Sequence, residues 1–139
     1  MRYVAGTVGY GLWYTQSTEF TLTGYTDSDF AGCIDDQKST SGYAFHLGTT
    51  LISWASKKQP IVSLLSVEAE YVTTTTAACH TVWLQKLMKD MVHVVKDTTT
   101  IFCDNNSAIA LSKNHEFQKK RKHIDTRSYV YKAIRKIFI

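Results

Sequence analysis

The sequence is poor in the residues that mark several common protein classes. Its three cysteines are widely spaced and form no C-x-x-C pattern, and its five histidines show no zinc-ligand spacing. This excludes a disulfide framework and a zinc knuckle, and it is typical of reduced thiols in an intracellular protein. No apolar run approaches the roughly 20 residues of a membrane span, and residues 1–6 lack the apolar stretch of a signal peptide. No phosphate-binding glycine loop or nucleophile elbow is present.

The composition is that of one ordinary globular domain. The chain has 139 residues, of which 44% are hydrophobic and 20% charged, and this length suits a single core. The net charge of +4 is unevenly distributed, because nine lysines and arginines lie between residues 113 and 136. Such a cluster is either a solvated helix face or a surface that binds a phosphate backbone.

Hydrophobic periodicity and turn residues predict a mixed α/β domain. Residues 1–19 form an arm or the remnant of a preceding domain. Strands are predicted at 20–27, 41–47, 51–56 and 98–103, and helices at 66–91, 105–111 and 124–137. The short links between the first three strands indicate an antiparallel meander. The long helix then makes a crossover that leaves the fourth strand parallel to the first.

Three acidic residues would meet at one edge of this sheet. Asp27 ends the first strand, Asp104 ends the fourth, and Glu70 lies in the first turns of the long helix. The carboxyl ends of parallel strands share an edge, where open α/β sheets keep their sites. Asp29 would begin on the same face as Asp27, and we assign it to a turn or an outer role. The set of carboxylates indicates a site for a hard metal ion.

Several segments in register resemble one known family. They are GYTDSDFAG at 24–32, ISWASKKQP at 52–60, EAEY at 68–71, CDNNSAIAL at 103–111 and KHIDTR at 122–127. Together they resemble the ribonuclease H domain of copia-type long-terminal-repeat retrotransposon polyproteins. The resemblance implies a ribonuclease H-like fold over residues 20–139. Residues 1–19 resemble the end of the reverse transcriptase segment that precedes this domain.

The resemblance also implies an activity. The family cuts the RNA strand of an RNA–DNA hybrid by hydrolysis with two Mg²⁺ or Mn²⁺ ions, and Asp27, Glu70 and Asp104 would be the catalytic, metal-binding carboxylates. The residues expected to contact the hybrid are Ser28, Ser66, Asn105, Lys57 and Lys58. The expected partners are the RNA–DNA hybrid and a reverse transcriptase domain of the same polyprotein, and no membrane is expected as a partner. The expected location is the cytoplasm, within virus-like particles, or the nucleus.

The sequence departs from the family in two places. Val67 stands where the family usually has a hydroxyl residue, and the chain ends at Ile139 before the strand and acidic helix that supply a fourth carboxylate. Asp125 is a candidate substitute for that carboxylate, or simply an acid at the start of a helix. The alternative function is therefore a catalytically impaired remnant that keeps the fold and binds nucleic acid.

Overall fold

A mixed sheet of four strands organises the part of the chain that the structure describes. The structure is a computed structural model, and it describes residues 2–16, 21–92 and 99–113. The elements are α1 (Arg2–Gly6), β1 (Leu22–Asp29), β2 (Thr40–Leu47), β3 (Thr50–Lys58), α2 (Ser66–Val92), β4 (Thr100–Cys103) and α3 (Asn106–Lys113). The helix predicted at 124–137, Asp125 and all but the first residue of the basic cluster lie outside the described residues.

The topology of the sheet confirms the predicted fold class. The strand order is β3-β2-β1-β4. β1 pairs antiparallel with β2, β2 pairs antiparallel with β3, and β1 pairs parallel with β4 from Thr23↔Thr100 to Thr26↔Cys103. The first three strands are thus the expected meander, and α2 carries the chain across the sheet to the parallel fourth strand. The arrangement is compatible with a ribonuclease H-like fold.

Two strands end later than the sequence pattern indicated. β1 continues to Asp29, because Asp27, Ser28 and Asp29 pair with residues 42, 41 and 40 of β2. β3 likewise continues to Lys58. The prediction that the first strand ends at Asp27 was therefore wrong. Backbone pairing with β2 extends the strand through polar residues that the hydrophobic pattern does not mark.

The core lies between the sheet and α2. Its buried members are Leu22, Phe45, Ala77, Ala78, Leu84, Met88 and Ile101. Gly24 lies beneath this cluster on β1, where an added Cβ would stand 2.7 Å from Cε1 of Phe45 and 3.2 Å from Cγ1 of Ile101. The absence of a side chain at residue 24 thus allows the aromatic ring and the isoleucine to pack directly on the strand.

The opposite face of the sheet carries exposed aromatic residues. The rings of Tyr25 and Phe102 stack with their centroids 5.2 Å apart, and each residue is about half exposed. His46 meets the Tyr25 ring edge-on at 5.5 Å. These cross-strand contacts link β2, β1 and β4 on the face away from α2.

The long helix α2 forms in spite of a β-branched run with poor helix propensity. Thr73, Thr74 and Thr75 are buried, and Thr76 is exposed. The hydroxyl of Thr76 donates a hydrogen bond to the carbonyl of Val72 at 2.8 Å, so this hydroxyl has its partner within the helix. Tertiary packing of the three buried threonines overrides their local preference.

Within the described ranges, no helix is both long and apolar enough to cross a membrane.

A buried polar network attaches the first half of α2 to the sheet. Gln59 is 2% exposed, and its Nε2 lies 2.9 Å from Oγ of Ser41, 3.0 Å from the Ala69 carbonyl and 3.3 Å from Oγ1 of Thr73. Its Oε1 accepts a hydrogen bond from Ser63 at 3.1 Å. Oγ1 of Thr73 and Oγ of Ser41 are 2.7 Å apart. The network therefore joins β2, the segment after β3 and the helix turn that contains Glu70.

Two alanine substitutions on α2 test the importance of this network. We expect Thr73→Ala to lower the free energy of unfolding by about 1–3 kcal/mol, because the buried side chains of Gln59 and Ser41 each lose a hydrogen-bond partner. Thr76→Ala is the matched control, since it removes the same atoms from an exposed position of the same helix. It should change stability by no more than about 0.5 kcal/mol. Urea denaturation measures both, and equal losses would contradict the proposed role of the network.

Candidate functional site

The candidate site lies at the carboxyl end of the parallel register between β1 and β4. Thr26 of β1 pairs with Cys103 of β4, and this is the last pair in the parallel register. Asp27 and Asp104 are the next residues on these neighbouring strands. Because adjacent strands stand about 4.8 Å apart, the backbones of the two aspartates lie side by side at one edge of the sheet.

Glu70 reaches the same edge from α2. It is 7% exposed, and its Oε1 accepts hydrogen bonds from the backbone N–H of Ser28 at 3.2 Å and from the Ser28 hydroxyl at 2.7 Å. Its Oε2 is buried and has no hydrogen-bond partner among the described residues. Ser28 thus orients the carboxylate and leaves one buried oxygen without a donor. An ionised oxygen in that state requires a cation or a proton.

Three potential ligand groups converge at this point. One carboxylate oxygen of Glu70, one of Asp104 and Sγ of Cys103 all lie within 4.8 Å of one another. Two of these residues were predicted from the sequence, and the thiol was not. A signal for it existed, since Cys103 is two residues after the core residue Ile101 in a strand and shares its face.

Asp27 lies beside this group of three ligand atoms but is not part of it. Its side chain is exposed. Since Ser28 contacts α2, strand alternation places Asp27 on the other face of β1, with Tyr25. Its charge nevertheless contributes to the raised pKa of Glu70. In the structure, the carboxylates of Glu70 and Asp104 therefore lie close to each other, and Asp27 is near enough for its charge to act on Glu70.

Burial and neighbouring negative charges act together on Glu70. Burial raises the pKa of Glu70, the hydrogen bond from the Ser28 hydroxyl opposes this shift, and the negative charges of Asp104 and Asp27 add to it. A carboxyl group with a raised pKa destabilises the metal-free fold once pH rises through that pKa. A bound divalent cation would favour the ionised carboxylate and would therefore lower the pKa of Glu70.

The residues expected to contact substrate occupy different surroundings. Oδ1 of Asn105 accepts from the backbone N–H groups of Ser107 and Ala108 at 3.0 Å each, so Asn105 caps α3. Ser66 is exposed at the first residue of α2. Near the same end of α2, the Oε2 of Glu68 accepts a hydrogen bond from the backbone N–H of Leu64 at 3.0 Å.

The two lysines at the end of β3 differ from each other. Nζ of Lys58 lies 2.9 Å from Sγ of Cys33 and 3.2 Å from Oδ1 of Asp36. The thiol of Cys33 and the ammonium group of Lys58 hold the pKa of Asp36 at about 2. Lys58 is thus engaged within the protein, so a phosphate would compete with Asp36 for it. Lys57 is exposed.

Asp29 is the last residue of β1, and its carboxylate reaches into the turn that follows the strand, rather than belonging to the turn as predicted. Its carboxylate packs directly against Gly32, where an added Cβ would collide with it. Ala31, in the same turn, has a φ of 53°, and its N–H donates to Oγ of Ser39 at 3.1 Å. The carboxylate of Asp29 is therefore directed into the turn and away from the three ligand atoms.

The chain is similar in sequence to parts of transposon polyproteins. It is 41% identical over 127 residues to a retrovirus-related Pol polyprotein from transposon TNT 1-94 of Nicotiana tabacum, which covers 91% of this chain and 9% of the relative. It is 37% identical over 124 residues to the retrovirus-related Pol polyproteins from transposons RE2 and RE1 of Arabidopsis thaliana, covering 89% of this chain and 8% of each relative. No model of a protein family matches the sequence. The chain is homologous to retrotransposon Pol polyproteins and spans less than a tenth of their length.

The raised pKa of Glu70 predicts a stabilising substitution. In the metal-free protein at pH 7–8, we expect Glu70→Gln to raise the free energy of unfolding, because it removes a buried charge and keeps an acceptor for Ser28. The advantage should disappear as pH falls below the ordinary pKa of glutamic acid, where the wild-type carboxyl group is protonated in both the folded and the unfolded protein. Chelator-treated samples unfolded in urea across this pH range measure the difference. A variant that is less stable than wild type at pH 8 would contradict the assignment.

Proposed function

We propose that this homologue of retrotransposon Pol polyproteins is their hybrid-specific ribonuclease, which cleaves the RNA strand of an RNA–DNA duplex during reverse transcription. The observation that supports this most is the buried, unpartnered Oε2 of Glu70 beside Asp104 at the ends of two parallel strands. A fold gains nothing from a charged oxygen left in this way, so the arrangement suits a bound cation.

The donor set fits the metal that such a reaction needs. Carboxylate oxygens are the ligands that Mg²⁺ and Mn²⁺ prefer. Glu70 and Asp104 would hold one such ion as they stand, and Asp27 would have to turn its side chain toward them to help hold a second. When bound, the ions supply a nucleophilic water and stabilise the charge on the leaving oxygen.

Residues of the chain itself prepare this site. Ser28 holds Glu70 through two hydrogen bonds, and the Gln59 network fixes the preceding helical residue, Ala69, through its carbonyl. The position of the Glu70 carboxylate is thus determined from both sides before a cation arrives, which is the preorganisation that a catalytic site requires.

Substrate recognition would use shape and backbone contacts. An A-form-like hybrid hides its base edges in a deep groove and offers phosphates and 2′-hydroxyls. Ser28, Ser66, Asn105 and Lys57 are the candidate contacts, and Lys58 could join them by exchanging Asp36 for a phosphate. The basic residues after Lys113 would add a salt-dependent contribution to binding. A reverse transcriptase domain of the same polyprotein would position the hybrid.

Cleavage of a labelled RNA–DNA hybrid in Mg²⁺ or Mn²⁺ tests the proposal. We expect Asp104→Asn and Glu70→Gln each to reduce cleavage by about 100-fold or more, since each removes a metal-binding charge. Glu68→Gln is the matched control on the same helix, two residues before Glu70, and should retain activity because glutamine keeps the acceptor for Leu64.

Substrate controls separate the alternatives. Single-stranded RNA and duplex RNA should remain uncut under the same conditions. If the folded wild-type protein binds the hybrid and cuts nothing in either metal, the chain is the catalytically impaired remnant. If Glu68→Gln loses as much activity as Glu70→Gln, the assignment of Glu70 is wrong.

A further inference from the structure

Cys103 gives the carboxylate site a ligand that Mg²⁺ does not use. Its Sγ lies within 4.8 Å of carboxylate oxygens of Glu70 and Asp104. On the helix side, Oγ1 of Thr74 stands 3.8 Å from the same sulfur. Glu70 and Thr74 are one helical turn apart on α2, so they approach the end of β4 along the same stripe. The thiol of Cys103 therefore lies close both to the two carboxylates and to helix α2.

The chemistry of this set differs from that of an all-oxygen site. One thiolate and two carboxylates form a mixed sulfur and oxygen set, which suits thiophilic divalent cations such as Zn²⁺ and Cd²⁺. Zn–S and Zn–O bonds of about 2.3 and 2.0–2.2 Å place two ligand atoms of one tetrahedral ion about 3.5 Å apart. Separations within 4.8 Å need only a small side-chain rotation to reach this geometry.

We propose that Glu70, Cys103 and Asp104 form a binding site for a thiophilic divalent cation, with Zn²⁺ as the physiological candidate. Three protein ligands leave the fourth position of a tetrahedral ion for water. On binding, the thiol proton passes to solvent, and the metal–sulfur bond replaces the contact with Thr74. The unpartnered Oε2 of Glu70 is the second, independent feature that points to a cation here.

The surroundings of the other two thiols differ. Cys33 is in contact with the ammonium group of Lys58, which opposes a second cation at that sulfur. Cys79 is exposed on α2. Among the described residues, the group formed by Glu70, Cys103 and Asp104 is the one whose ligand atoms converge closely enough for an ion.

The proposal deepens the proposed function, because a cation bound through Cys103 would share two ligands with the catalytic Mg²⁺. It predicts that micromolar Zn²⁺ inhibits hybrid cleavage and that the Zn²⁺ concentration needed for half-inhibition rises by about tenfold or more in Cys103→Ser, each protein being compared with its own Zn²⁺-free rate. The binding part of the proposal needs no catalytic activity, so it can be tested separately.

Cd²⁺ titration of the purified chain tests binding directly, through the ultraviolet charge-transfer absorbance of a cadmium–thiolate bond. We expect one Cd²⁺ per chain at saturation, with the signal lost in Cys103→Ser and retained in Cys79→Ser and Cys33→Ser. Glu70→Gln should weaken Cd²⁺ binding by about tenfold or more. Near-ultraviolet circular dichroism of each variant verifies that it is folded.

The outcomes separate this proposal from the ribonuclease assignment. An unchanged signal in folded Cys103→Ser, or unchanged affinity in Glu70→Gln, overturns the thiophilic site even if the protein cleaves hybrid. Loss of the signal in Cys103→Ser together with weaker binding in Glu70→Gln supports the site even if no cleavage is found. Zn²⁺ inhibition of equal strength in wild type and Cys103→Ser would overturn the link to catalysis.

Discussion

The parallel pairing of β1 with β4 is the constraint on which the candidate site depends. It puts Thr26 opposite Cys103, so that Asp27 and Asp104 each follow the last residue pair of the parallel register. The hydroxyl of Thr26 reinforces the pairing by donating to the Phe102 carbonyl at 3.2 Å. An antiparallel β4 would move Asp104 by the length of a four-residue strand, about 13 Å, and no cation could then bridge it to Glu70.

Helix α2 makes this pairing possible and carries an electrostatic cost in doing so. It crosses from β3 to β4 and brings a carboxylate into a buried position, where burial raises the pKa of Glu70. Ser28 offsets part of the cost on one side, and the Gln59 network anchors the preceding turn on the other. The buried Thr73 of α2 is understandable in these terms, because alanine at residue 73 would supply no hydroxyl for the anchor.

The sequence was informative where local pattern and topology agree. Alternation in 41–47, the lone proline at residue 60 and the glycine-free run at 66–91 correctly predicted a meander followed by a long helix. The same patterns placed Asp104 directly after a strand and Glu70 in the first turns of a helix, as the structure does. The end of β1 was misplaced at Asp27, since polar residues join a strand when a partner strand offers them hydrogen bonds.

From β1 to α3, local pattern therefore settled which elements form and in what order, because periodicity and turn residues report directly on burial and backbone geometry. It did not predict the short helix α1. Tertiary structure decided which side chains meet. Cys103 joins Glu70 and Asp104 while Asp27 alternates to the other face, and Lys58 is paired with Asp36. These outcomes depend on strand register and helix rotation, which contacts between distant segments determine and which no local window of sequence contains.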